Sequence, residues 1–386
     1  MKRSTRLIHN RAGTGPRRTV NPPLERASTV ILPDAASLYS QNPAYGRMGL
    51  SVHQELEAAL CTLEKADFTR LTPSGLSACA VAAAALVKAG DRILVSDSIY
   101  GPSRRFCERR LKRMGVESER FDPRNLGQIE MLMSEGAAAI FLESPGSLTF
   151  EISDTPAIVT LARAHNVKTI MDNTWSAGVF CQPLDLGVDV SVQALTKYVV
   201  GHADAFGGAV MTNDPGIVRE IRDLTEDWGI SIGPDDAYSA LRGTRTLETR
   251  LSQHQASALQ LANWLSGVPG VNQVIHPALP SHPDHALWLR DFSGSSGLFG
   301  FLLDASNQSE LDAFLGALEL FKLGFSWGGF ESLIIPCDAQ LTRLKSDWTS
   351  EKNGQLLRVH AGLEDPDDLI ADFQRGFDAL SRKKNT

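Results

Sequence analysis

A chain of 386 residues with 42% hydrophobic content can bury a large core, and one large domain with a smaller one is its natural division. The net charge of −7, without a concentrated basic block, argues against a polyanionic partner, so nucleic acid is not expected as a ligand. Five widely spaced cysteines with no Cys-x-x-Cys pair suggest buried free thiols, not a disulfide framework or a zinc site; with no apolar run of membrane length, a cytoplasmic protein is expected.

Residues 1–50 are rich in Arg, Pro, Ser and Asn with little periodicity, which predicts an extended arm and not a packed unit. In it, Tyr45-Gly46-Arg47 places a hydroxyl and a guanidinium on the same side of an extended segment, able to grip a phosphate together; an exposed polar turn is the alternative. From Ser51 the chain turns helical, with Leu56, Leu60 and Leu63 on one face. Then Leu71-Thr72-Pro73-Ser74-Gly75-Leu76-Ser77-Ala78 opens an alanine-rich helix through Lys88. Unpaired N–H groups at a helix start favour a phosphate, although a plain Ser74 N-cap explains the same residues.

Short apolar strands follow at Arg92 to Ser96, Val116 to Phe121, Ala138 to Leu142 and Val167 to Met171, alternating with helices at Ser103 to Met114, Asn125 to Ser134 and Thr155 to His165. This βαβ rhythm predicts a mostly parallel sheet covered on both faces. Arg104, Arg105, Arg109, Arg110, Lys112 and Arg113 fall at helical spacing and read as a solvated face or a subunit contact. Tyr100, just after the Arg92 strand, can lay its ring on a flat aromatic ligand or cap the core. Glu143-Ser144-Pro145-Gly146-Ser147 reads as a Pro-Gly turn at the same sheet edge.

The Val167 strand ends in Asp172-Asn173-Thr174-Trp175, and the next apolar run, from Val190, stops at Thr196-Lys197 before a Gly201-His202 turn. Two parallel strands thus bring a carboxylate and an amine to the edge where open α/β sheets place their ligands. Desolvation there lowers a lysine's pKa, so its amine can form a Schiff base with an aldehyde; a lysine that snorkels to the surface is the alternative. Pyridoxal phosphate needs such a pair, a lysine for its aldehyde and an acid to keep its ring nitrogen protonated.

Phe206 to Met211 predicts a closing strand, Asp214 to Asp227 a helix, and Asp235 to Leu265 a long helical stretch, carrying Tyr238 and interrupted near Gly243. From about Val271, strands at Gly297 to Leu303 and Leu356 to His360 alternate with helices at Ser309 to Leu318 and Pro366 to Leu380, as in a smaller α+β domain. His282 and His285 lie in a turn with no third ligand in view, so no metal site is expected. Arg358, on an apolar strand, requires an anion or a structural ion pair.

The stretches Asp172 to Trp175 and Ala194 to Asp204 resemble those of the cysteine and methionine metabolism family of pyridoxal-phosphate enzymes, and the likeness runs from the arm to Arg358. It implies an aspartate-aminotransferase-like (type I) α/β fold with a mostly parallel large-domain sheet and a smaller C-terminal α+β domain. The divisions implied are an arm at 1–50, a cofactor-binding domain at 51–250 and a smaller domain at 251–386. By resemblance Lys197 carries the cofactor and moves protons with Tyr100, Asp172 holds the pyridine nitrogen and Tyr100 stacks on the ring. The Ser74-Gly75-Leu76 turn, through the Gly75 and Leu76 amides, and Thr196 hold the phosphate. Tyr45 and Arg47 reach into a neighbouring subunit's site within a homotetramer. Arg358 and Ser326 grip the substrate carboxylate, while Trp327, Tyr45 and Tyr238 shape the distal pocket. Ala194 departs from relatives that carry a hydroxyl there, which puts one phosphate contact in doubt.

Trp327 and Ser147 resemble the β-lyase branch, where γ-acting relatives carry a smaller apolar residue and an asparagine. The resemblance therefore implies β-elimination of L-cystathionine, an amino-acid thioether, to homocysteine, pyruvate and ammonia. A γ-lyase, a γ-synthase or a broader cysteine-conjugate lyase is the alternative. A catalytically silent α/β binding protein would be missing the lysine, the aspartate or the arginine, and all are present. No Gly-x-Gly-x-x-Gly opens a helix after a strand, which argues against a nicotinamide enzyme.

Overall fold

In the computed structural model, which describes residues 1–9, 19–39, 44–346, 348 and 354–385, seven strands build the larger sheet. They are β1 (Phe68–Thr72), β2 (Arg92–Ser96), β3 (Glu117–Phe121), β4 (Ala139–Glu143), β5 (Lys168–Asp172), β6 (Val190–Gln193) and β7 (Gly208–Thr212), in the order β1-β7-β6-β5-β4-β2-β3. The run from β6 to β3 is parallel, and β7 is antiparallel to both of its neighbours. The carboxyl ends of β4, β5 and β6 therefore share one edge. All four residues of β6 are buried, as expected of a strand covered on both faces.

Strand alternation divides the apolar side chains between two layers. Ile93, Val95, Phe141, Ile170, Val190 and Val192 pack with Ala78, Val81 and Ala82 of the helix Gly75–Ala85 on one face. On the other, Leu71, Leu195, Ala209 and Met211 pack with Val52, Leu56, Ala59, Leu60 and Leu63 of Ser51–Glu64. These helices are α3 and α2, and α1 is Arg3–Ile8. Alanines on α3 let its backbone lie close to the sheet.

The smaller sheet contains β8 (Val271–Ile275), β9 (Leu298–Leu303), β10 (Lys322–Leu323), β11 (Leu333–Pro336) and β12 (Gln355–His360), in the order β10-β11-β12-β9-β8. Phe301, Phe314 and Phe373 join it to the helices Gln308–Gly316 and Pro366–Lys384. The α/β class with a smaller second domain is as expected. Among the described residues, no helix is long and apolar enough to cross a membrane.

Several expectations need correction. The arm is not wholly unpacked, because Leu7 of α1 is buried among the α2 leucines and Thr29 bridges Tyr45; residues 10–18 and 40–43 of it lie outside the described residues. Leu71 and Thr72 belong to a strand, β1, and not to the turn alone. The helix after Tyr100 widens to a π-type turn over Phe106–Leu111. Arg104 does not belong to a solvated face: it is buried, and its guanidinium donates to the Thr342 hydroxyl. All five cysteines are free, although Cys61 is only half-buried.

Candidate active site

The β4, β5 and β6 register sets Glu143 beside Asp172 and Asp172 beside Val192 at the common edge. Asp172 is 8% exposed, and its Oδ1 accepts from the Thr174 amide at 3.0 Å and the Thr174 hydroxyl at 2.5 Å. The Cys79 thiol on α3 points at its other oxygen from 3.6 Å. Burial raises the Asp172 carboxyl against the pull of these Thr174 bonds and of the Lys197 charge.

Beyond β6 the chain turns and delivers Lys197, whose Nζ donates to Ser326 Oγ at 2.7 Å and lies 5.3 Å from the centre of the Trp327 ring. Burial, then the positive Arg358, lowers its amine to about 8, with Asp172 opposing. Amine and carboxyl thus act on each other's charge from the ends of the neighbouring strands β5 and β6. Lys197 is half-buried, and its amine is engaged by Ser326 instead of extending to the surface.

The Ser326–Gly329 turn is folded tightly against that lysine. Ser326 and Gly328 have φ of +79° and +88°. A Cβ on Gly328 would lie 2.8 Å from the Tyr198 nitrogen and 2.9 Å from the Lys197 carbonyl carbon, so a side chain there cannot be accommodated without displacing Lys197. His360 Nε2 meets the Gly328 amide at 3.1 Å and the Gly329 carbonyl at 3.0 Å. Arg358 Nη2 donates to the Ser326 carbonyl at 2.9 Å, and no carboxylate pairs with this guanidinium among the described residues. The structural ion pair is therefore not realised there, and burial lowers the Arg358 pKa, an arrangement suited to an incoming anion.

At the other end of the site, α3 begins against the Lys197 loop. A Cβ on Gly75 would meet Ala194 Cβ at 2.3 Å, so glycine is what permits the approach. Ser74 Oγ accepts from the Ser77 amide at 3.1 Å, leaving the Gly75 and Leu76 amides without an acceptor among the described residues. The N-cap and the anion cradle are thus compatible readings of one turn. Thr196 Oγ1 exchanges hydrogen bonds of 3.1 Å with the Gly207 backbone, which fixes the loop alongside. Tyr100 has a half-exposed ring, and its amide donates to Glu143 Oε2 at 2.5 Å. Burial, then Glu143, raises its phenol.

Tyr45, Arg47 and Tyr238 are not brought to Lys197 by any contact. Arg47 lies over the Tyr45 ring at 5.9 Å and reaches the Glu226 carbonyl at 3.5 Å, while Tyr238 packs against the α2 side of the sheet. His282 Nδ1 accepts from the Asp284 amide and His285 Nδ1 meets the Pro277 carbonyl, so both serve their turn. Sequence reasoning missed the roles of Glu143, Cys79 and His360. For Glu143 the signal was present, since it ends a strand at the same edge as Asp172. For Cys79 and His360 no local pattern marks the contact.

A half-buried amine, a buried carboxyl, a helix start whose amides have no acceptor and an arginine with no carboxylate partner among the described residues suit an aldehyde-bearing phosphate cofactor and an amino-acid substrate. The protein is of the type that works through pyridoxal phosphate. A model of the family described as "Cys/Met metabolism PLP-dependent enzyme" matches residues 4–378, and the chain belongs to that family. It is 41% identical over 370 residues to the cystathionine beta-lyase of Salmonella typhimurium, covering 93% of each chain. It is 40% identical over 369 residues to cystathionine beta-lyase MetC of Escherichia coli, again covering 93% of each. A crystal structure of cystathionine gamma synthase from Xanthomonas oryzae pv. oryzae, in complex with aminoacrylate and cysteine, superposes with a TM-score of 0.92 at 28% identity over 99% of both chains.

Proposed function

We propose that this chain is a pyridoxal-phosphate-dependent carbon–sulfur lyase that splits L-cystathionine, with water, into homocysteine, pyruvate and ammonia. The observation that carries the reading is the Lys197 amine, hydrogen-bonded to Ser326 and over the Trp327 ring, with the Asp172 and Arg358 charges acting on it. The 40–41% identity to proteins named cystathionine beta-lyase supports the choice of reaction.

The residues divide the work as follows. Lys197 would hold the cofactor through its amine; Asp172 would keep the ring nitrogen protonated, Tyr100 would cover the ring, and Ser74, Gly75, Leu76 and Thr196 would surround the phosphate. Pyridoxal phosphate, when bound, supplies an electron sink that makes the substrate Cα–H acidic. Arg358, steered by the Ser326 carbonyl, orients the substrate carboxylate so that this hydrogen faces Lys197. Once the substrate amine has taken its place on the cofactor, the freed Lys197 amine, lowered to about 8, would accept that proton more readily as the pH rises toward 8, while Trp327 and Tyr238 would bound the thioether side.

Tyr45 and Arg47, both exposed and without a contact to Lys197 among the described residues, are proposed to complete the site of a neighbouring copy within a homotetramer. The divisions 1–50, 51–250 and 251–386 remain the proposed domain limits. Incubating purified protein with cystathionine tests the reaction: pyruvate with homocysteine supports it, whereas 2-oxobutyrate with cysteine assigns a γ-lyase. Lys197→Ala should lose both the visible cofactor band and turnover, and retention of both removes the proposal.

A further inference from the structure

Glu64 ends α2 and is completely buried, yet its carboxyl has no cationic hydrogen-bond partner among the described residues. Asn173 Nδ2 donates to its two oxygens at 2.9 and 3.2 Å, Gln193 Nε2 donates at 2.5 Å and Ser191 Oγ at 3.2 Å. Asn173 directly follows Asp172, and Gln193 is the last residue of β6 ahead of Lys197. Gln193 Nε2 also donates to the Asn173 carbonyl at 3.0 Å, and the Asn173 amide to the Val192 carbonyl at 2.9 Å. Because side chains alternate along a strand, Asp172 faces the site while Asn173 faces Glu64. One carboxyl therefore ties together, from behind, the two strand ends that present the acid and the amine.

We propose that Glu64 is a positioning residue that holds the Asp172 and Lys197 strand ends in their relative place and thereby sets the proton affinity of the cofactor between them. This inference rests on the reading that Lys197 and Asp172 hold that cofactor. The ionisable groups facing Glu64 are Arg3, whose guanidinium donates to the Gly178 and Val179 carbonyls at 3.0 Å, and Cys181, whose carbonyl accepts from Asn173. Burial pushes the carboxyl up to about 7, with its donors and Arg3 pulling back. Near neutrality the group thus passes from acceptor to donor, and on protonation one amide in the knot loses its acceptor.

The test compares the cofactor-loaded wild type with Glu64→Gln, titrating the visible band of the lysine-linked cofactor with pH and measuring kcat and KM. A glutamine presents donors where Asn173 and Gln193 already donate. The band's midpoint should move by ~0.5 pH unit or more, and kcat should fall ~10-fold while KM changes less than ~2-fold. A variant with a lower melting temperature but the same midpoint and kcat overturns the inference. A wild type without the band overturns the cofactor reading, and this inference with it. Where Glu64→Gln does not accumulate as folded protein, Ser191→Ala removes one donor and leaves the rest; a midpoint shift in that variant supports the role, and an unmoved midpoint overturns it.

Discussion

Lys197 Nζ donates to Ser326 Oγ across 2.7 Å, and the same serine's carbonyl, not its hydroxyl, receives Arg358. One residue with φ of +79° therefore contacts the Lys197 amine and the Arg358 guanidinium through separate atoms. Ser326→Ala should separate the two roles. It removes the hydroxyl beside the Lys197 amine and keeps the carbonyl; if that amine moves the substrate proton as proposed, kcat should fall ~10-fold while KM stays within ~2-fold. Steady-state kinetics with cystathionine decide this; a rise in KM alone would show that the hydroxyl, and not the carbonyl, governs carboxylate binding.

Among the described residues Arg358 has no carboxylate partner to lose, so changing it should cost binding far more than folding. Arg358→Lys keeps the charge but gives up the planar two-pronged grip. The lost charge-assisted bond predicts a kcat/KM lower by ~10- to 100-fold, carried mainly by KM, with a melting temperature close to wild type. A large fall in stability would instead mean that the guanidinium is a structural strut.

Gly328 is the tightest point between the small-sheet turn and the lysine. Gly328→Ala demands both a left-handed backbone at an alanine and a Cβ within 3 Å of the Lys197 and Tyr198 backbone. The strain alone should destabilise the chain by about 1–3 kcal/mol, and relieving it displaces Lys197. Denaturant unfolding and cofactor titration should both register the change. Unaltered cofactor affinity would show that the turn can move without its neighbour.

How much of this could be read from the letters depends on how far apart the interacting residues lie. Asp172 and Lys197 each follow an apolar run, so period-two patterning and the parallel-sheet rule place both at one edge without coordinates. Arg358 declared itself as a charge on an apolar strand. β1 escaped because Phe68-Thr69-Arg70-Leu71-Thr72 carries an arginine and runs directly into Pro73-Ser74-Gly75, whose turn signal dominates. β8 escaped because Asn272 and Gln273, in the middle of this short strand, are polar and exposed. The Glu64 knot was illegible for a different reason. Its partners are 109 to 129 residues away, and a glutamate ending a helix looks like any solvated one.

The amine of Lys197 gives a prediction for the cofactor-free chain. Burial and the Arg358 charge both disfavour the ammonium, which lowers the group to about 8. Below that pH the protonated form dominates and cannot attack an aldehyde; above it the free amine dominates. Capture of pyridoxal phosphate should therefore accelerate roughly tenfold per pH unit up to about 8 and then level off. Replacing Arg358 with leucine removes a positive neighbour, so the amine should rise toward the ordinary lysine value and the plateau should move to higher pH. Stopped-flow absorbance across the pH range measures both curves. A plateau that stays in place in Arg358→Leu would mean that burial alone tunes the lysine and that the arginine charge is screened from it.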